Sequence, residues 1–178
     1  MSFILINNNA FNVKLRTKIS ECNINSAIFL TLGFTLLLLY LLQLISGYRL
    51  EFLYELQQNN YYKQITGYLL LLYVLYQFRL AKVRNNTEQL RYYCSLHKMQ
   101  GVAAPLVLYV HSMELGYAYQ VLLSCLFLFN CFVGLVSPQQ LKIRNALYVN
   151  SWLILHVSIA ILIVGLVLYH LFITYWYS

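Results

Sequence analysis

Charge is scarce in this chain. Lys, Arg, Asp and Glu make up 10% of its 178 residues, where a soluble domain carries about a quarter. Hydrophobic residues make up 61%, and the mean hydropathy is +0.63. Proline is nearly absent, at two residues. The four cysteines, Cys22, Cys94, Cys125 and Cys131, form neither CxxC nor CxxCH, which argues against a zinc site and against covalently attached c-type haem. Cys125 and Cys131 lie inside an apolar run and read as small apolar side chains. There is no low-complexity linker and no separate polar region. A head binding flavin or NADPH would need roughly a hundred or more further residues, so no FAD or NADPH site is expected here. The start, "MSFILINNNAFNVKLRTKISECN", lacks the order of a secretory signal: its cations follow an Asn-rich stretch, and no small-residue cleavage site comes after the first apolar run. That run is therefore expected to stay as an anchor.

What is present is apolar sequence in helix-length pieces. A bilayer core needs about 20 residues of helix. The expected fold is all-α: a membrane bundle of about five spans, with a cytoplasmic N-terminal segment over residues 1–25 and one domain over 26–178. The spans are read at about 26–46, 62–80, 92–112, 116–136 and 147–176, the last ending in the aromatic "YWYS" of a water–lipid boundary. The span near residues 92–112 is the least apolar, with Lys98, Gln100 and Pro105 inside it. Pro105 is expected to bend it.

The charges supply an orientation. With the N-terminus inside, Lys14, Arg16, Lys18, Arg79, Lys82, Arg84, Arg91, Lys98, Lys142 and Arg144 all fall on the inner side. Only Arg49 and Lys63 fall outside, so ten of twelve cations obey the positive-inside rule. The net charge of +7 thus mostly encodes topology; membrane lipid is the expected partner, and nucleic acid is not. "RLAKVRNNTEQLR", Arg79–Arg91, reads as a basic loop facing lipid headgroups, or as a docking surface for an acidic cytoplasmic electron donor or for haem propionates.

All four histidines fall into two pairs of one spacing. Thirteen residues separate His97 from His111, and thirteen separate His156 from His170. Fourteen steps rise about 21 Å and end within about 40° of four full turns. Each pair therefore occupies one helix face, with one histidine near each leaflet. The third and fifth spans run in the same direction, so His97 shares its depth with His156, and His111 with His170. Polar residues at such depth are costly and usually functional. Two inter-helix imidazole pairs suit two haems, each iron taking one imidazole on each face. His97 and His156 would be the inner ligands, His111 and His170 the outer. No carboxylate or cysteine sits at matching depth, so zinc or di-iron fits poorly. Gly101, one turn after His97, leaves room for a flat macrocycle or for a helix contact, and Gly165 invites the same two readings. Lys98, with Arg91, Lys142 or Arg144, is a candidate partner for inner propionates; snorkelling to the interface is the alternative. Tyr109 and Tyr169 stand within two residues of the outer histidines, where haem, lipid or helix contacts are all open.

"LHKMQGVAAPLVLYVH" resembles the third helix of the ferric reductase and NADPH oxidase transmembrane domains, in which a histidine pair with this spacing recurs and a second pair lies on helix five. The resemblance covers roughly Tyr93–Tyr175. It implies transmembrane electron transfer through two non-covalent b-type haems, from the inner to the outer side. That family usually adds a sixth helix, and its reductases add a flavin and nicotinamide domain. The expectation is therefore a subunit fed by other redox subunits or by a separate donor, a flavoprotein or a quinol. Cytochrome b561-like and quinol-oxidising cytochromes b use similar pairs. Two rivals stand beside this reading: a quinol or ferric-chelate oxidoreductase acting at a haem edge, and a non-redox membrane accessory subunit whose histidines only bond between helices.

Overall fold

The computed structural model describes residues 26–83 and 87–176, and every regular element in them is α-helix. The cytoplasmic segment read over 1–25, with Lys14, Arg16, Lys18 and Cys22, lies outside the described residues. So do Arg84 and the side chain of Arg91. Helix α1 spans Ser26–Ser46, α2 Glu51–Gln58, α3 Asn60–Gln77, α4 Arg79–Lys82, α5 Thr87–His111, α6 Tyr119–Leu135 and α7 Ala146–Trp176.

Local chemistry sets several of these ends. Helix α1 stops at Gly47, whose φ of +65° suits a residue without Cβ and lets its N–H close on the Gln43 carbonyl at 3.0 Å. Helix α3 begins where Asn59 Oδ1 accepts from the N–H groups of Tyr61 (2.8 Å) and Tyr62 (3.3 Å). Helix α5 runs unbroken through Pro105. The missing N–H there is the one that would bond the Gly101 carbonyl four residues back. The stretch expected to be a basic loop is largely helical: α4 occupies Arg79–Lys82, and α5 already starts at Thr87. Its first turns are polar, which hid them from a reading based on apolar runs.

Helix α1 packs on α5 and α6, α3 on α5, and α6 on both α5 and α7. Leu37 and Tyr40 of α1, Val102, Ala104 and Leu108 of α5, Phe127, Leu128 and Val133 of α6, and Ile159 and Ile163 of α7 form the core. A Cβ at Gly33 would run into Leu135, so this glycine permits the close approach of α1 to α6. Helices α5 and α7, which carry the histidines, are not among the extensively packed pairs.

Among the described residues two helices are long and apolar enough to cross a membrane, Ala27–Ser46 and Ala146–Trp176, and α6 is a shorter apolar helix. Only 17% and 11% of their most apolar windows are buried, whereas the core helix of a soluble protein would be mostly covered. The outer surface is correspondingly greasy. Leu38, Leu39 and Leu42 on α1, Leu69 and Leu72 on α3, and Ile154, Ile161 and Leu168 on α7 are all exposed. Soluble monomers rarely expose contiguous apolar surface beyond a few hundred Å².

Candidate functional site

His97 on α5 and His156 on α7 face each other. Their ring centroids are 6.1 Å apart, and the planes cross at 88°. Nδ1 of each ring is buried and has no hydrogen-bond partner. His156 is further fixed by Trp152, one turn earlier on the same helix face, whose ring stacks on it at 5.4 Å and 9°. The Trp152 Nε1–H is itself held, donating to the Val133 carbonyl at 2.7 Å. On the neighbouring α6, Gly134 lies beside the imidazole; a Cβ there would stand 3.5 Å from His156 Cε1.

At the other end of these helices, His111 and His170 lie within electrostatic reach of each other. Both are held at Nδ1. Thr66 Oγ1 of α3 is 3.0 Å from His111 Nδ1, and the Tyr119 hydroxyl of α6 is 3.1 Å from His170 Nδ1. Gly67 lies against His111, where a Cβ would meet Cε1 at 3.2 Å.

The turn that presents His111 is clasped by other helices. The end of α5 leaves carbonyls without helical partners. Gln57, at the end of α2, donates to the Tyr109 and Val110 carbonyls (2.9 and 3.1 Å) and accepts from the Met113 N–H (3.0 Å). Tyr62 donates to the Val110 carbonyl at 2.9 Å, Tyr40 donates to the Ser112 carbonyl at 3.1 Å, and Arg49 pairs with Glu114 at 2.7 Å. Gln57 is only 5% exposed. Gln57→Leu strips the clasp from a buried turn, and an unpaired buried polar group costs about 1–3 kcal/mol. The expected loss of stability is of that order, read as a lowered midpoint of thermal unfolding in detergent.

The remaining expected residues are distributed as follows. Gly101 and Gly165 border open space: a Cβ added at either meets nothing within 4 Å. Lys98 is half-buried next to His97 in sequence. Tyr109 packs edge-on against Tyr40 at 5.8 Å, and Tyr169 against Tyr119 at 5.0 Å. Near the inner pair, Tyr76, Gln77, Arg79, Tyr93, His97 and Gln100 line a shallow pocket. Arg79 lies over the rings of Tyr76 (4.8 Å) and Tyr93 (5.9 Å), while Oε1 of Gln77 and of Gln100 are buried without partners. The Tyr73 hydroxyl donates to the Gln100 carbonyl. Thr66, Gly67, Tyr119, Gly134, Trp152 and Gln57 were not singled out from the sequence. Of these, Trp152 alone carried a readable signal, its spacing of four residues from His156.

The inner geometry suits one metal atom between two rings. Metal–imidazole nitrogen bonds are about 2 Å, and a ring nitrogen lies about 1.1 Å from the ring centre, so ligands on opposite faces have centroids roughly 6 Å apart. A T-shaped contact between two bare rings has a similar spacing. Nδ1 of each ring is buried without a hydrogen-bond partner whichever case holds. Among the described residues no group of three His, Cys, Asp or Glu side chains converges. Two imidazoles are what the inner pair could offer to a metal.

No family model, curated protein or solved structure matches this chain. The likeness to ferric reductase transmembrane domains therefore rests on the histidine spacing.

Proposed function

We propose that the chain is a diheme b-type cytochrome subunit that carries electrons across a membrane. The observation that carries this reading is the meeting of His97 on α5 and His156 on α7, with ring centroids 6.1 Å apart. Gly101 and Gly165, where an added Cβ would meet nothing within 4 Å, leave room beside the two histidine helices. His97 with His156, and His111 with His170, would hold the two haems, which would supply one-electron chemistry when bound.

The chain's own residues supply position and insulation. His97 and His156 form the inner ligand pair, and His111 and His170 the outer, about 21 Å along the helices. Trp152 and Gly134 hold the His156 ring in place; Thr66, Gly67 and Tyr119 hold the outer two. Ala104 and Ile163, midway between the pairs, are buried core residues that fill the space between the centres. Helices α1, α3, α5, α6 and α7 serve as five spans. The shorter ones, α3 at 18 residues and α6 at 17, reach roughly 26 Å, near the thickness of a bilayer core. The positive-inside distribution puts the N-terminus on the inner side. Electrons enter from a flavoprotein or another redox subunit.

A second reading is direct reduction by quinol at the polar cluster beside His97. Its unpartnered Gln77 and Gln100 oxygens and the Arg79-covered tyrosines offer acceptors and rings to a hydroxylated aromatic headgroup.

Absorption spectra of the oxidised and dithionite-reduced chain, with a pyridine haemochrome assay, test the proposal. Two b-type haems per chain are expected. Reduction by a water-soluble quinol in place of dithionite would favour the second reading. A colourless protein made with ample haem would sink both and return the histidines to a packing role in an accessory subunit.

A further inference from the structure

We propose that Thr66 is a positioning residue that fixes the tautomer of His111 and so presents its Nε2 lone pair to the outer centre. The argument is a count of protons. A threonine hydroxyl has one hydrogen and two lone pairs. Thr66 Oγ1 lies 2.8 Å from the Tyr62 carbonyl one turn earlier, and 3.3 Å from the Lys63 carbonyl. Carbonyls only accept, so the hydroxyl proton goes into the helix. Toward His111 Nδ1, at 3.0 Å, the oxygen then has only a lone pair to offer. The bond therefore runs from Nδ1–H to Thr66, and a neutral imidazole protonated at Nδ1 carries its free pair on Nε2.

The surroundings enforce this arrangement. Gly67 allows α3 to come close enough for the contact, and the clasp by Gln57 and Tyr62 holds the His111 turn in register. The inner pair differs, since Nδ1 of His97 and of His156 has no such partner. Thr66 thus distinguishes the outer centre from the inner one. Outer-shell partners of metal-bound imidazoles typically change affinity 10–100-fold.

The role assigned to the Nε2 pair rests on the electron-transfer reading, but the tautomer can be measured without haem. Nitrogen-15 spectra of the full chain, labelled at histidine and purified without added haem, separate protonated from bare ring nitrogens. The His111 signals are identified by their loss in His111→Gln. In the unsubstituted chain His111 is expected to carry its proton on Nδ1. Thr66→Val keeps the shape and removes the oxygen; the Nδ1–H signal should be lost or mixed with the Nε2–H form. Thr66→Ser should restore it. Equal circular dichroism across the three chains excludes unfolding as the source. A proton on Nε2 in the unsubstituted chain, or a Thr66→Val spectrum unchanged from it, overturns the assignment. In the haem-loaded protein Thr66→Val should weaken the outer haem about 10–100-fold and spare the inner. A chain that binds no haem defeats the electron-transfer reading and leaves the tautomer result to decide the positioning role.

Discussion

Alanine at His156 is expected to take the haem content from two per chain to one, and alanine at His97 to remove that same haem. His97 and His156 face each other at 6.1 Å, so each would supply one face of a single iron. The double variant should then be no worse than either single one, because residues acting as a unit are strongly non-additive. His97→Ala with His111→Ala should instead lose both haems, since each belongs to a different pair. The pyridine haemochrome ratio reads the outcome directly. A packing role makes a different forecast. Hydrogen bonds between membrane helices are worth roughly 0.6–2 kcal/mol, so histidines acting as helix glue would give colourless protein throughout and only modest losses of stability. If the cross combination kept one haem while His97→Ala/His156→Ala lost both, the pairing itself would be wrong even with haem present.

The sequence was most informative where a single helix held the information. The first span was read at about 26–46 and the helix is Ser26–Ser46. An uninterrupted apolar run bounded by polar residues leaves little freedom there. The depth matching of the histidines was likewise a matter of rise and turn along two helices. Helix α2 was missed because eight residues containing two glutamates and two glutamines have no apolar run to betray them. Its value lies in one buried side chain, Gln57, whose partners stand 52 to 56 positions away. Thr66, Gly67, Tyr119 and Gly134 share that difficulty. Each meets its histidine from a different helix, and the rotation of one helix against another is set by packing, which no pattern along a single helix records. Trp152 is the exception, since stacking at a four-residue spacing is a within-helix relation.

The two glycines beside the imidazoles should separate the centres sterically. A Cβ at Gly67 would lie 3.2 Å from His111 Cε1, closer than ordinary contact, while one at Gly134 would lie 3.5 Å from His156 Cε1, within it. Alanine at Gly134 is therefore expected to leave both haems in place. It should stabilise α6 by up to about 1 kcal/mol, because alanine is the better helix former. Alanine at Gly67 gains the same propensity but must push the His111 ring off α3 by a few tenths of an ångström, which strains its bond to Thr66. Outer haem affinity should fall while helix stability does not, a divergence that general destabilisation cannot produce. Leucine at either position overfills its site. Overpacking costs about 1–3 kcal/mol, which corresponds to roughly 5- to 150-fold in affinity. Gly67→Leu should thus deplete the outer haem alone and Gly134→Leu the inner alone. Redox titration of each purified variant resolves which component has gone. Loss of both haems together in either leucine variant would mean that the ring contacts are not the controlling element, and that the substitution acts by separating the helices as a whole.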